Sequence, residues 1–337
     1  MMCKQQNLKF VWMAVLAVLL IAFFVSLFGG RYVIPPHEVG SILLDGMRGE
    51  DGDCMAFSVV WNLRLPRTLL NSFVGAGLAV AGAAFQGIFK NPLVSPDVLG
   101  VSSGAAFGAA FGILLSGMNY LATAMALFFG IVSVFMTYTL SKLRGESSTL
   151  SLVLSGMIIS AVFSALISLI KYVADPYDKL PAITYWLMGS FASASYSNLQ
   201  LVGVPILLGT IVLLMLRWRI NILSLGDEDA YSLGVNPVKT RLVIIIMATL
   251  ITAACVTVTG VIGWVGLVIP HICRMLIGVD HKNLLPVSCV VGAAFMILVD
   301  LMARTVTAAE IPIGILTALV GAPFFALLFK QAKGDWK

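Results

Sequence analysis

The chain has 337 residues, 59% of them hydrophobic and 11% charged, with a formal net charge of +5. A soluble domain is about a quarter charged. This composition therefore excludes a water-soluble globular fold and points to a polytopic membrane protein.

Apolar runs of membrane length recur at residues 10–29, 65–87, 93–115, 119–141, 149–171, 198–216, 238–258, 261–278, 284–304 and 312–330. They predict an all-α chain of about ten transmembrane helices in one domain over residues 1–337. The first run follows Lys4 and Lys9. It is long for a signal peptide and has no small-residue cleavage pattern near Gly30, so it reads as an uncleaved span. Shorter helices are expected at about 36–47, after Pro35-Pro36, and at about 178–188, before Gly189.

The second run opens with Arg64-Leu65-Pro66-Arg67, contains Gly75, Gly77, Gly82 and Gln86, and gives way to Asn91-Pro92-Leu93-Val94-Ser95-Pro96. Two prolines forbid a continuous helix there. Gly100, Gly104, Gly108 and Gly112 then recur every fourth residue, a stripe for close helix packing. Ser148 and Thr149 stand where the fifth span begins; they suit N-capping, close packing across a dimer axis, or both. The longest polar loop, about 221–236, holds Leu225-Gly226-Asp227-Glu228-Asp229-Ala230-Tyr231-Ser232-Leu233-Gly234-Val235. Gly226 and Gly234 bracket a short helix with acidic residues in its first turn, where the dipole favours them. Leu225, Ala230 and Leu233 are expected to form its apolar face. Pro270-His271 is expected to break the eighth span, with His271 a hydrogen-bonded structural residue.

With both termini cytoplasmic, Arg31, Arg48, Arg64, Arg67, Lys171, Lys179 and Arg304 lie outside, and the other 14 of the 21 Lys and Arg lie inside. That bias accounts for the net charge without nucleic acid. Arg64, Arg67 and Arg304 stand at outer span ends, where they either snorkel to headgroups or face carboxylates of another protein. Asp300, four residues before Arg304, is placed to hold that arginine. Spans two to five (about 65–171) and seven to ten (about 238–330) run in opposite senses, the order of an inverted repeat.

Several chemistries find no residues here. The five cysteines lack metal-ligand spacing and predict no disulfide, and the three histidines are scattered, so no metal site is expected. There is no phosphate-binding loop and no hydrolytic constellation, so no catalytic residue is named. Acidic residues avoid the span centres, which disfavours the alternative of a stand-alone secondary transporter driven by an ion gradient.

Three blocks carry a resemblance. The first is Arg64-Leu65-Pro66-Arg67 with Gly82, Gln86, Asn91-Pro92-Leu93, Pro96 and Leu99-Gly100. The second runs Gly260, Ile262, Trp264-Val265-Gly266-Leu267, Pro270-His271 and Arg274. The third is Pro312-Ile313-Gly314, Thr317, Gly321 and Pro323. In this order and spacing they resemble the FecCD/BtuC-like permease family of metal-chelate ABC importers, over about residues 10–330. Some members carry molybdate or tungstate, and the chain is similar to that group. The resemblance implies a type II importer permease fold in the bacterial inner membrane. It also implies a permease homodimer, two ATPase subunits that carry ATP and Mg, and a periplasmic substrate-binding protein. Arg64, Arg67 and Arg304 would receive that protein. Leu225, Gly226, Asp227, Glu228, Ala230, Leu233 and Gly234 would couple to the ATPase. Ser148 and Thr149 would form the cytoplasmic gate. No cofactor is implied on this chain.

Overall fold

The computed structural model describes residues 2–49, 54–143 and 149–332. Among the described residues the chain is all α-helix and short turns, with no strand. In chain order the helices are α1 (Met2–Phe28), α2 (Pro36–Arg48), α3 (Met55–Ile88), α4 (Val101–Ser116), α5 (Tyr120–Lys142), α6 (Thr149–Val173) and α7 (Lys179–Met188). Then follow α8 (Tyr196–Met215), α9 (Arg217–Leu225), α10 (Asp227–Ser232), α11 (Pro237–Thr259), α12 (Val265–Ile277), α13 (His281–Thr305) and α14 (Ile313–Ala332). The two short helices expected near 36–47 and 178–188 are α2 and α7.

The span count is corrected. Seven described helices have membrane length and apolarity: Leu8–Phe28 within α1, and α3, α5, α6, α8, α11 and α13. Three expected spans are shorter apolar helices: α4, α12 and Ile313–Ala326 of α14. Each is shortened by irregular backbone at its start. A 3-10 turn at Pro96–Leu99 precedes α4, residues 260–264 precede α12, and residues 306–312 precede α14. Trp264 in the second of these has φ 72, a left-handed value that costs a non-glycine residue about 1–2 kcal/mol. Its ring packs against Gly321 and Phe325 of α14, which holds it there.

Two proline readings change. The second span begins at Met55, not at residue 65, because Ser58–Arg64 form a π-helical stretch that runs into α-helix at Leu65–Ile88. Pro66 has no N–H to give the carbonyl four residues back, and the wider turn absorbs the loss. Pro270 does not break its span; it lies inside α12. It leaves the Gly266 carbonyl without its helical donor, and that carbonyl faces Gly82 of α3, where a Cβ would collide with it.

These contacts explain the core. α3 is buried along most of its length, with α13 alongside it and α8, α11 and α12 around it. Gly75 and Gly292 meet backbone to backbone between α3 and α13. Without water or a hydrophobic drive between helices in lipid, such close packing supplies the association. The stripe after Gly100 does what its spacing predicts: Gly104, Gly108 and Gly112 of α4 lie against Phe129, Met125 and Ala122 of α5.

Candidate functional site

The arginines gather at one end of the bundle. The π-helical stretch turns Arg64 inward, where Nη1 donates to the Leu27 carbonyl at 2.8 Å and Nη2 to the Tyr32 carbonyl at 2.5 Å. Arg67, one turn on, is clasped by two carboxylates. Its Nε and Nη2 donate to Asp300 at 2.8–3.1 Å, and its Nη1 and Nη2 donate to the two oxygens of Glu310, each at 2.9 Å. Arg304 donates to the Ser26 carbonyl at 2.5 Å and the Ser26 hydroxyl at 2.7 Å. Asp300 stands 3.6 Å from Arg304, as the four-residue spacing suggests, but its close bonds go to Arg67.

The three arginines are thus mostly buried and internally bonded. Within the Arg67 cluster, Asp300 is fully buried, whereas the Glu310 side chain is 35% exposed. Glu310 lies between α13 and α14, outside the spans. The Arg67 hydrogen bonds hold its carboxyl below the usual range, against the upward push of partial burial, and the charges of Arg67, Arg31 and Arg304 add to this. Glu310 was noted in the sequence only as an acid near the boundary. Nothing in its local pattern pairs it with a residue 243 positions away.

At the opposite end the 221–236 loop forms two helices, α9 and α10, where one was expected. Gly226 (φ 148) separates them, and Gly234 (φ 76) ends α10. The Val235 N–H reaches the Ala230 carbonyl and the Gly234 N–H the Tyr231 carbonyl, a Schellman closure. Asp227 pairs with Arg241 of α11 at 2.9 Å, which anchors the first turn. The expected apolar face is divided. Ala230 is completely buried beneath α10, whereas Leu225, Tyr231 and Leu233 are exposed. An i, i+3 relation had put Ala230 and Leu233 together, but the loop packs inward on Ala230.

Thr149 is the first residue of α6 and half-buried; Ser148 lies outside the described residues. The His271 ring packs on Phe324 and Phe325, but its Nδ1 has no hydrogen-bond partner, so the hydrogen-bonded reading is not met at that atom. Among the described residues no group of three His, Cys, Asp or Glu side chains could hold a metal ion, and Cys54, Cys255, Cys273 and Cys289 are free thiols. Arg274 was quoted only as part of a motif. In the fold its Nη2 donates to Gln86 at 2.9 Å, tying α12 to the end of α3.

A bundle whose charged residues cluster at its two ends, with buried small-residue helix contacts between, defines a multi-pass membrane transport protein without a reactive centre. The FecCD transport family matches residues 18–331, and the chain belongs to that family. It is 43% identical over 316 residues to the molybdate import system permease of Haemophilus influenzae, covering 94% of each chain. It is 40% identical to an iron chelatin transport system permease of Helicobacter pylori strain 26695, covering 95% of this chain and 97% of the relative. A solved structure, described as of metal-chelate ABC type in an inward-facing conformation, superposes with TM-score 0.83 at 41% identity. That superposition covers 96% of this chain and 99% of the other. The chain has the importer permease fold and is the permease component of an ABC importer in the cytoplasmic membrane, with no catalytic activity of its own.

Proposed function

We propose that two copies of this chain pair to form the path of a type II importer for a metal oxyanion or metal chelate. Cargo arrives on a periplasmic binding protein, and two ATPase subunits bind ATP and Mg. Ten crossings, completed at α4, α12 and α14 by the irregular segments before them, put both termini in the cytoplasm. The four-span groups 65–171 and 238–330 are the halves of an inverted repeat. The reading rests on one observation: likeness in sequence and in fold extends over nearly the whole chain at once. The cargo choice rests on relatives named for molybdate and for iron chelatin.

The Arg64, Arg67 and Arg304 end receives the binding protein. A bidentate guanidinium suits a carboxylate partner. Arg64 and Arg304 are bonded to backbone, so a docking carboxylate meets Arg67 by taking the place of the exposed Glu310. At the other end Leu225, Tyr231 and Leu233 seat in the ATPase. The α10 segment over Gly226, Asp227, Glu228, Ala230 and Gly234 is the rigid body that moves with it, and Ser148 and Thr149 line the inner gate.

Reconstitution tests this. With the binding protein outside and the ATPase and ATP inside, vesicles should accumulate cargo. Accumulation by the permease alone on an ion gradient would establish a secondary transporter instead. Calorimetry of the binding protein against molybdate and ferric chelates assigns the cargo.

A further inference from the structure

At the α10 end, a cavity of about 630 Å³ opens between the end of α3, α9, α12 and the start of α13. Lys90, His271, Arg274 and His281 line it, with Asp280 and Asn221 at one wall. Ten buried side-chain polar atoms lack a hydrogen-bond partner among the described residues. Three of them, His271 Nδ1, Arg274 Nη1 and His281 Nε2, belong to residues of this one cavity. Unpaired buried polar groups cost about 1–3 kcal/mol each, so their convergence calls for a ligand that all of them can meet. His281 itself is only 7% exposed.

The hydrogen bonds fix what His281 offers. Asn221 Nδ2 donates to Asp280 Oδ1 at 2.6 Å, which sets the amide's orientation. Asn221 Oδ1 then accepts from the His281 backbone N–H at 2.9 Å and from its Nδ1 at 2.8 Å. An oxygen acceptor requires the proton on Nδ1, so Nε2 of the neutral ring presents a lone pair. The start of α13 needs no anion of its own, because Asp280 and Asn221 already cap it. The cavity therefore combines two permanent cations, Lys90 and Arg274, with one strong acceptor. Asp280, already bonded to Asn221 and to the Lys282 N–H, adds a negative charge that disfavours highly charged anions.

The geometry points to a binding site for a protonated tetrahedral oxyanion, hydrogenphosphate or a phosphomonoester that keeps one proton. Its oxygens accept from Arg274 Nη1 and Lys90 Nζ, and its P–OH donates to His281 Nε2. Sulfate and molybdate, with no proton to donate, leave Nε2 unpaired, so this site is not a second site for an oxyanion cargo. It depends on neither the cargo nor the docking reading. Because α9 supplies one wall, occupancy ties the α9–α10 segment to α3, α12 and α13.

The test is calorimetry on the full chain in phosphatidylcholine nanodiscs at mildly alkaline pH, where inorganic phosphate keeps one proton and sulfate none. Phosphate should bind, and sulfate at least about tenfold more weakly. Lys90→Gln, at an exposed position, should weaken phosphate binding about tenfold. His281→Asn should bring phosphate down to the level of sulfate. Nanodiscs containing phosphatidic acid separate the sources. Loss of the phosphate heat there assigns the site to a lipid headgroup; its persistence assigns it to free phosphate. No phosphate binding in either membrane, sulfate binding as tightly as phosphate, or an unaffected Lys90→Gln variant would each overturn the assignment.

Discussion

At the scale of single residues, Arg67 is the most heavily committed side chain in the molecule, and its two partners differ in what they allow. Asp300 is buried and fixed, so Asp300→Asn strands positive charge inside the bundle and should destabilise the chain by about 3–5 kcal/mol, read as a loss in thermal melting. Glu310 is exposed and replaceable. If a binding-protein carboxylate displaces it, Glu310→Gln should tighten association of the binding protein, whereas Arg67→Glu should abolish it with the ATPase complex intact. Surface plasmon resonance on the reconstituted complex measures both, and equal affinities across wild type and both variants would remove Arg67 from the docking surface. Glu310 also sets a pH dependence. Its folded-state pKa is lowered, so its contribution is present above the unfolded carboxylate value of about 4.3 and is lost as pH falls through the lowered value. Melting temperature should drop on acidification below about pH 4 more steeply in wild type than in Glu310→Gln. The arginines stood out in the sequence because charge is rare in so apolar a chain. Their partners did not, because Arg67 meets Asp300 and Glu310 only when α3, α13 and the loop before α14 converge.

At the scale of elements, helices and their contact faces were legible where spacing alone decides them. The four-residue glycine stripe of α4 packs on α5, and Gly226 and Gly234 punctuate α10, as their positions in the sequence suggest. Prolines misled, since lipid-embedded helices absorb a missing donor when a neighbour or a wide turn receives the freed group. Pro270 shows this: its freed Gly266 carbonyl sits on Gly82. Gly82→Val should accordingly destabilise by about 3 kcal/mol or more, measured by thermal shift, because backbone rather than a flexible side chain stands in the way. In the loop, Ala230 and Leu233 separate into different roles. Ala230→Leu should lower thermal stability through overpacking by about 1–3 kcal/mol. Leu233→Asp should leave stability unchanged and reduce co-purification of the ATPase. Equal loss of stability in both would place Leu233 in the core instead.

At the scale of the whole molecule, the chain has two chemically distinct ends joined by a packed, small-residue interior. The Arg67 end and the α9–α10 end communicate through α3, which runs from Arg64 to Gln86 and carries the Gly75 and Gly82 contacts between them. A rigid element of this kind transmits displacement, since close-packed backbones have few intermediate arrangements. Purified permease in vesicles should therefore move no cargo uphill without its ATPase, as measured by radiolabelled uptake.

Composition alone settled that this is a membrane protein, because lipid requires long apolar helices and tolerates few charges. Motif order settled its family, because glycines, prolines and arginines at fixed spacing are constraints of local backbone. Tertiary structure decided which helices are cut short, which carboxylate each arginine holds, and that Lys90, Arg274 and His281 share one cavity. Those are pairings between segments far apart in the chain, and periodicity carries no information about which distant partner a buried charge will find.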